Sequence, residues 1–287
     1  MVTKEFFTIR SLLDKAKKEL IGVSESASLD AQLLLAYVLS VERAYLFAHP
    51  EQPVRPEHRE QFEALVERAM SGEPLPYILG KRAFYDREFM VSPAVLIPRP
   101  ETELLIEQAL AFAGKHRPVT IIDVGTGSGA IAVTVAAHCP LAAVHATDIS
   151  PDALEIARKN AAMHRVDVTF WQGDLLQPAI DNGLQADLIL ANLPYIPTHE
   201  LPDLAVSRYE PHLALDGGAD GLDLVRKLLP QAVQVCKPGG LLLLEIGAGQ
   251  GGAARDIGAA AFPDAKVMVL SDYSGHDRIL RIELARK

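Results

Sequence analysis

From Val119 to the end of the chain, short aliphatic runs alternate with amphipathic stretches, and that alternation leaves few architectures open. The strand readings are Thr120 to Val124, Ala143 to Thr147, Val168 to Gln172, Ala186 to Leu190 and Leu241 to Ile246. The helical stretches are Ala130 to His138, Pro151 to Met163, Leu222 to Cys236 and Ala253 to Phe262. Ser150 is placed as an N-cap with Pro151 at the first helical position, and Lys237-Pro238-Gly239-Gly240 reads as a turn. Strands and helices in regular alternation predict a doubly wound α/β sheet. Two final strands, Lys266 to Leu270 and Arg278 to Ala285, are separated only by Ser271 to Asp277. So short a link holds no crossover helix, so the pair is expected as an antiparallel hairpin at the sheet edge.

The preceding part of the chain reads differently. Leu12, Leu13, Ala16 and Leu20 recur at helical spacing, as do Leu29, Leu33, Leu34, Tyr37 and Val38, with breaks at Gly22, at Ser40 and from Pro50 to Pro56. A small helical bundle follows, its last helix running from Pro56 to Met70, with too few aromatic residues and glycine loops to hold a cofactor. Such a module suits recognition of a partner better than chemistry. From Ser71 to Pro100 prolines and glycines punctuate short alternating runs such as Phe84 to Val91, which reads as a linker with a β-hairpin. The expected division is therefore a helical recognition domain over 1–72, a linker over 73–100 and a catalytic domain over 101–287. The segment Ile97 to Glu103 opens an amphipathic helix carrying Leu104, Leu105, Ile106, Ala109, Leu110 and Phe112, and Glu101 and Glu103 suit the positive end of its dipole.

Composition excludes several classes. At 287 residues and 49% hydrophobic the chain buries one large core or two modest ones. A net charge of -9 argues against affinity gained mainly by neutralising phosphates. Cys139 and Cys236 are far apart and sit in no Cys/His cluster, which supports neither a disulfide framework nor a zinc site; both read as core thiols in a reducing cytosol. Nine scattered histidines give no metal-ligand spacing. Met1 to Arg10 mixes charged residues with Phe6 and Phe7, no signal-like apolar run follows, and none approaches the roughly 20 residues needed to span a bilayer.

Chemistry concentrates at the ends of the expected strands. Asp123-Val124-Gly125-Thr126-Gly127-Ser128-Gly129 lies between the first strand of the alternation and its helix, where glycines let the backbone turn tightly and approach a ligand. Gly125, Gly127 and Ala130 also satisfy a dinucleotide fingerprint, with Asp148 at the end of the next strand as a ribose acceptor, so a nicotinamide enzyme stays open at this point. Against it stand Gly129, Asp123 and a loop after the fourth strand, Asn192-Leu193-Pro194-Tyr195. An asparagine oxygen, a backbone carbonyl and an aromatic face suit a planar NH2 group; an Asx turn with a packed tyrosine is the plainer alternative. The turn Gly173-Asp174-Leu175 offers a carboxylate for an adenine amino group and an apolar side chain for the ring. In a doubly wound sheet these strand ends share one crevice.

These segments, with Gly72 to Gly80, Ile97 to Glu103, Asp148-Ile149-Ser150, Glu210-Pro211, Ala214-Leu215, Asp220-Gly221-Leu222 and Leu244 to Gly247, make the chain resemble the HemK/PrmC family of protein-glutamine methyltransferases along nearly its whole length. The resemblance implies a class I methyltransferase fold, Rossmann-like with an antiparallel edge strand, behind a helical N-terminal bundle. It implies S-adenosyl-L-methionine as cofactor, held by Gly125, Thr126, Gly127, Ser128, Gly129, Asp148, Asp174, Leu175 and Asn192. It places the reaction at Asn192, Leu193, Pro194 and Tyr195, which would also bind the substrate, with no metal. The implied substrate is the glutamine of the Gly-Gly-Gln loop in peptide chain release factors, methylated on its amide nitrogen by a cytoplasmic monomer that needs neither nucleic acid nor membrane. The family's loop usually reads Asn-Pro-Pro-Tyr, and Leu193 departs from it at a position whose expected contribution is a backbone carbonyl. Two related readings are a glutamine methyltransferase acting on a ribosomal protein and an adenine-amino DNA or RNA methyltransferase; the acidic charge counts against the second. An inert methyltransferase domain serving a binding module would be expected to have lost the glycine loop or Asn192, and both are present.

Overall fold

The computed structural model of the chain describes residues 7–114 and 118–286. The reading of the first six residues lies outside them. The chain divides into two compact units, Met1–Gly80 and Lys81–Lys287.

The first unit is helical: α1 (Ile9–Leu20), α2 (Ala27–Leu39), α3 (Arg43–Ala48), α4 (Pro56–Met70) and α5 (Leu75–Leu79). A capping box opens α1, with Thr8 Oγ1 accepting from the Ser11 amide at 3.2 Å and Ser11 Oγ accepting from the Thr8 amide at 2.9 Å. Ile9, Leu12, Ala16 and Leu20 form its buried stripe. The second helix departs from expectation. It buries Ala27, Ala31, Leu34, Leu35 and Ala36, while Leu29 and Tyr37 face outward. Its sequence is apolar nearly all the way round, so spacing alone does not single out one face. The unit also extends past the expected boundary at 72, because α5 carries Ile78 into the same core as Leu12, Leu34 and Phe62.

The second unit opens with a hairpin, β1 (Lys81–Phe84) and β2 (Arg87–Met90), followed by α6 (Glu103–Ala113), β3 (Thr120–Val124), α7 (Ala130–His138), β4 (Ala143–Asp148), α8 (Pro151–His164), β5 (Thr169–Gln172), α9 (Gln177–Asp181) and β6 (Ala186–Ala191). After a long loop with three short 3-10 turns come α10 (Asp223–Val235), β7 (Cys236–Glu245), α11 (Gly251–Ala261), β8 (Lys266–Ser271) and β9 (Asp277–Glu283). The main sheet runs β5-β4-β3-β6-β7-β9-β8. Neighbours from β5 to β7 are parallel, and β9 is antiparallel to both β7 and β8. The terminal hairpin is present as expected, with β9 tucked inside and β8 outermost. Burial follows the order: Ile279, Leu280 and Ile282 of β9 are buried whereas β8 is only partly covered.

Residues 237–240, expected as a turn, belong to β7. The ladder continues through them because the Gly239 amide donates to the Ala285 carbonyl at 2.9 Å and the Leu284 amide to the Gly240 carbonyl at 2.9 Å. One face of the sheet packs on α9, α10 and α11 and the other on α6, α7 and α8. No described helix is long and apolar enough to cross a membrane.

Candidate active site

Strand β3 lies between β4 and β6, and the connections that leave β3 toward β4 and β6 toward β7 run in opposite directions, so a crevice opens at the carboxyl ends of these strands. Three glycines shape one side. Gly125, Gly127 and Gly129 have φ of 69°, 53° and 80°, a region that side chains other than glycine's rarely occupy. The Gly125 and Thr126 amides donate to the Thr147 carbonyl at 2.9 and 3.0 Å, and the Gly127 amide to Asp148 Oδ2 at 2.8 Å. A side chain at Gly129 would meet Ala157 of α8, whose Cα lies 3.2 Å from the built Cβ position; Gly129 therefore lets α7 and α8 pack closely. At Gly127 no atom lies within 4 Å of that position, so the backbone faces open space.

Beneath the loop Asp123 is fully buried, with Oδ2 accepting from Thr126 Oγ1 at 2.6 Å and from the Ala132 amide at 3.2 Å, and with Oδ1 lacking a partner. Burial pushes its carboxyl up to about 7, against those two hydrogen bonds. Asp148, at the end of β4, is also raised by burial, although Oδ1 accepts from the Ser150 amide at 2.9 Å. Each oxygen of Asp148 takes one backbone N–H and keeps a lone pair for a ligand hydroxyl. Asp174 stands at the mouth, paired with Lys227 Nζ at 2.6 Å, and Leu175 holds a buried position at φ of 53°.

The other side is the loop that leaves β6. Asn192 Nδ2 donates to Thr102 Oγ1 at 2.9 Å, which turns the amide oxygen to the opposite branch of the side chain. Leu193 is buried, and its Cδ2 lies 2.9 Å from where a Gly125 Cβ would sit. The Tyr195 hydroxyl is 3.4 Å from Glu245 Oε1, a long contact, and burial followed by the Glu245 charge pushes its phenol up to about 12. The Tyr195 carbonyl accepts from Gln250 Nε2 at 2.9 Å, while Gln250 Oε1 accepts from the Gly247 amide at 2.7 Å.

Between the two sides lies a cavity of about 260 Å³. Gly125, Thr126, Gly127, Ser128, Asp148, Asp174, Leu175, Asn192, Leu193 and Pro194 all line it, so the structure gathers these sequence-predicted residues in one place. Gly129 and Tyr195 stand behind the wall, Gly129 in the helix contact and Tyr195 against Glu245.

Residues 11–80 match the family described as the PrmC N-terminal domain, and residues 121–214 a family described as a methyltransferase domain. A release factor glutamine methyltransferase of Moorella thermoacetica is 45% identical over 275 residues, covering 94% of this chain and 96% of its own length. That of Bacillus subtilis is 42% identical over 256 residues, covering 87% and 89%. The chain belongs to the release factor glutamine methyltransferase family. The solved structure of a Pyrococcus furiosus methyltransferase aligns with a TM-score of 0.51 at 16% identity, over 79% of this chain and 98% of that one. A T. thermophilus 16S rRNA methyltransferase, solved with AdoMet and guanosine, aligns at 0.53 and 18% over 74% of this chain and 52% of its own. At those identities the likeness shows the fold, a class I methyltransferase sheet.

Sequence reading either missed the residues that tie the site of this family member together or named them without these partners. Asn160, buried in α8, clamps β2 to the glycine loop: Oδ1 accepts from the Met90 amide at 2.8 Å, and Nδ2 donates to the Met90 carbonyl at 3.0 Å and the Ser128 carbonyl at 2.8 Å. Glu210 is buried, accepts from the Ile97 amide at 3.0 Å and pairs with Arg99, joining two walls of the cavity. Glu103 stands in the first turn of α6, as its suitability for the helix dipole led us to expect, and also accepts from the Tyr85 amide at 2.9 Å, which holds the hairpin turn. A motif match flagged Glu210 and Glu245 without a role; their partners lie too far away in sequence for any local pattern to pair them.

Proposed function

We propose that this chain transfers a methyl group from S-adenosylmethionine to the side-chain amide nitrogen of the Gly-Gly-Gln glutamine in a peptide chain release factor, in the cytoplasm. Family membership supports the reaction class, and one observation carries its assignment to a site. Asn192 is pinned by Thr102 at the edge of a cavity whose opposite wall is the glycine loop. Bound S-adenosylmethionine supplies an electrophilic methyl group. Open backbone at Gly127, free lone pairs on Asp148 and the apolar Leu175 fit its polar and planar parts.

An amide nitrogen is a weak nucleophile because its lone pair is conjugated with the carbonyl. Asn192 Oδ1 and the Leu193 carbonyl would accept its two N–H groups, favour pyramidal geometry at nitrogen and aim the lone pair into the cavity. Fixed dipoles then stabilise the positive charge that develops there, a positional and electrostatic effect. Pro194 stiffens the loop, and Tyr195 anchors its far end from behind the wall. The helical unit is assigned to recognition of the release factor, since the cavity and its lining belong to the second unit.

Peptide mass spectrometry of a release factor incubated with the chain and cofactor tests this reading. One methyl group is expected on the glutamine of the Gly-Gly-Gln loop, lost with Asn192→Ala, and a short Gly-Gly-Gln peptide should react poorly. An unmodified release factor beside methylated duplex DNA would refute the proposal.

A further inference from the structure

Gln250 stands behind the acceptor loop, at the N-terminal end of α11 and outside the lining of the cavity. Its three side-chain contacts all go to backbone groups. Oε1 accepts from the Gly247 amide at 2.7 Å, and Nε2 donates to the Tyr195 carbonyl at 2.9 Å and to the Asp220 carbonyl at 3.1 Å. A backbone N–H only donates and a carbonyl only accepts, so a single orientation of the glutamine amide satisfies all three. Both of its N–H bonds are used.

The segment that carries Asp220 is itself fastened to the acceptor loop. The Ile196 amide donates to the Leu215 carbonyl at 3.1 Å, the Gly217 amide to the Ile196 carbonyl at 2.8 Å and the Thr198 amide to the Gly218 carbonyl at 2.8 Å. Arg226 of α10 grips the Asp220 carboxylate, with Nη1 donating to Oδ1 at 2.8 Å. The fit between the two segments is close. A Cβ at Gly217 would lie 2.8 Å from the Pro194 carbonyl oxygen, and one at Gly221, where φ is 78°, would lie 2.2 Å from the Tyr195 carbonyl oxygen and 2.3 Å from Gln250 Nε2. Glycine at 221 thus leaves the opening through which the glutamine amide joins the two backbones.

We propose that Gln250 is a positioning residue for methyl transfer, holding the Tyr195 carbonyl from behind and so fixing where the Leu193 carbonyl and Asn192 stand in front. The inference rests on the reading that Asn192 Oδ1 and the Leu193 carbonyl receive the substrate amide. Between the two carbonyls Pro194 fixes one backbone torsion, and the Leu193 side chain is buried, so the stretch from Leu193 to Tyr195 has few ways to move in parts. A shift imposed at Tyr195 is passed to the acceptors.

Gln250→Glu keeps the length of the side chain and an oxygen for the Gly247 amide, but it faces the two carbonyls with an oxygen in place of the donor. Repulsion then pushes the Tyr195 carbonyl away. Gln250→Ala removes attraction and repulsion together. Single-turnover methylation of a release factor by the full chain, at saturating cofactor and factor, is measured beside the S-adenosylmethionine Kd and the melting point. Rates should fall in the order parent, Gln250→Ala, Gln250→Glu, with the last slower by about a hundredfold, the effect of a displacement of about 1 Å in orienting groups. The cofactor Kd should stay unchanged. A glutamine that only stabilised the fold would lower the melting point and leave the folded, cofactor-bound enzyme turning over at the parent's rate. Asn192→Ala serves as the reference. If it is inactive while folded, cofactor-binding Gln250→Glu turns over like the parent, the positioning role is wrong and the site reading stands; where Gln250→Glu does not fold, Gln250→Ala decides in the same way. If Asn192→Ala is fully active, the site reading falls and the positioning role with it.

Discussion

The two sides of the crevice are held in place by different means. On the glycine-loop side the positions are set by backbone: three residues at positive φ, amides closing onto Thr147, and Asp148 fixed by the amides of Gly127 and Ser150. On the acceptor side they are set by side chains drawn from distant segments, with Thr102, Glu245 and Gln250 all converging on the loop from Asn192 to Tyr195. A backbone-built surface tolerates no added side chain. A surface built from side-chain hydrogen bonds tolerates small changes of volume and is vulnerable to a change in which atom donates.

The largest effect should come from violating the first rule. Gly129→Val puts a β-branched residue at φ of 80° and drives its Cβ toward the Ala157 backbone, 3.2 Å away. Strain and overpacking together cost on the order of 2–5 kcal/mol. Calorimetry should show a melting point lower by roughly 10 °C and cofactor affinity down at least a hundredfold. A variant that melts and binds like the parent would mean that the close contact between α7 and α8 is not required. Asp148→Ala ranks next. Losing a charged acceptor costs about 1.5–3 kcal/mol, about ten- to a hundredfold in cofactor Kd, while turnover at saturating cofactor should change little. A variant whose Kd is unchanged would remove Asp148 from the cofactor side.

This contrast also decides what could be read from sequence. A need imposed on the backbone leaves a residue type behind, so Gly125, Gly127 and Gly129 announced their loop, and the β/α alternation announced the sheet. The acceptor loop showed through Asn192, Pro194 and Tyr195 for the same reason. What holds that loop was not legible. Thr102 lies 90 residues before Asn192, and Gln250 lies 55 after Tyr195, distances that no local pattern spans. The place of β9 between β7 and β8 was hidden too, because a hairpin at a sheet edge can dock by either strand. Composition pointed the other way, since β8 carries one charged residue and β9 four, yet β9 is the more fully buried. In α2 the signal was absent rather than hidden, as a helix apolar on all sides has no preferred face until its neighbours are in place.

Asp123 on one side and Glu245 on the other are buried acids whose ionisation burial disfavours. Burial raises Asp123 and Glu245 to about 7, from ordinary values of 3.8 and 4.5. With a folded pKa above the unfolded one, the native state binds more protons across that window. Stability is therefore fully present below about pH 4 to 4.5 as far as these groups are concerned, and is lost as pH rises through about 7. Over the full window each contributes on the order of 3–4 kcal/mol. The melting point should fall between pH 5.5 and pH 8, and Asp123→Asn and Glu245→Gln should each flatten part of that slope. A melting point that climbs over the same interval would show that hydrogen bonds, not burial, govern both acids.

The smallest effect on rate is expected where the two sides touch. Leu193 belongs to the acceptor loop, yet its side chain is buried against Gly125 and packs in the core with Val124, Leu175 and Leu222. Leu193→Pro would restore the usual loop of the family and keep the carbonyl that is assigned to the substrate amide. It would also remove part of a buried leucine, at a cost of about 1–2 kcal/mol in stability. A turnover within a few-fold of the parent, with a melting point lower by several degrees, is the expected result, and Leu193→Ala should match it in stability. Loop rigidity and core packing are thus exchanged at one position, and the carbonyl is indifferent to the exchange. A Leu193→Pro variant that folds, binds cofactor and fails to transfer methyl would show that the leucine side chain positions the acceptor, and the division between a backbone-built and a side-chain-built half would have to be redrawn at this residue.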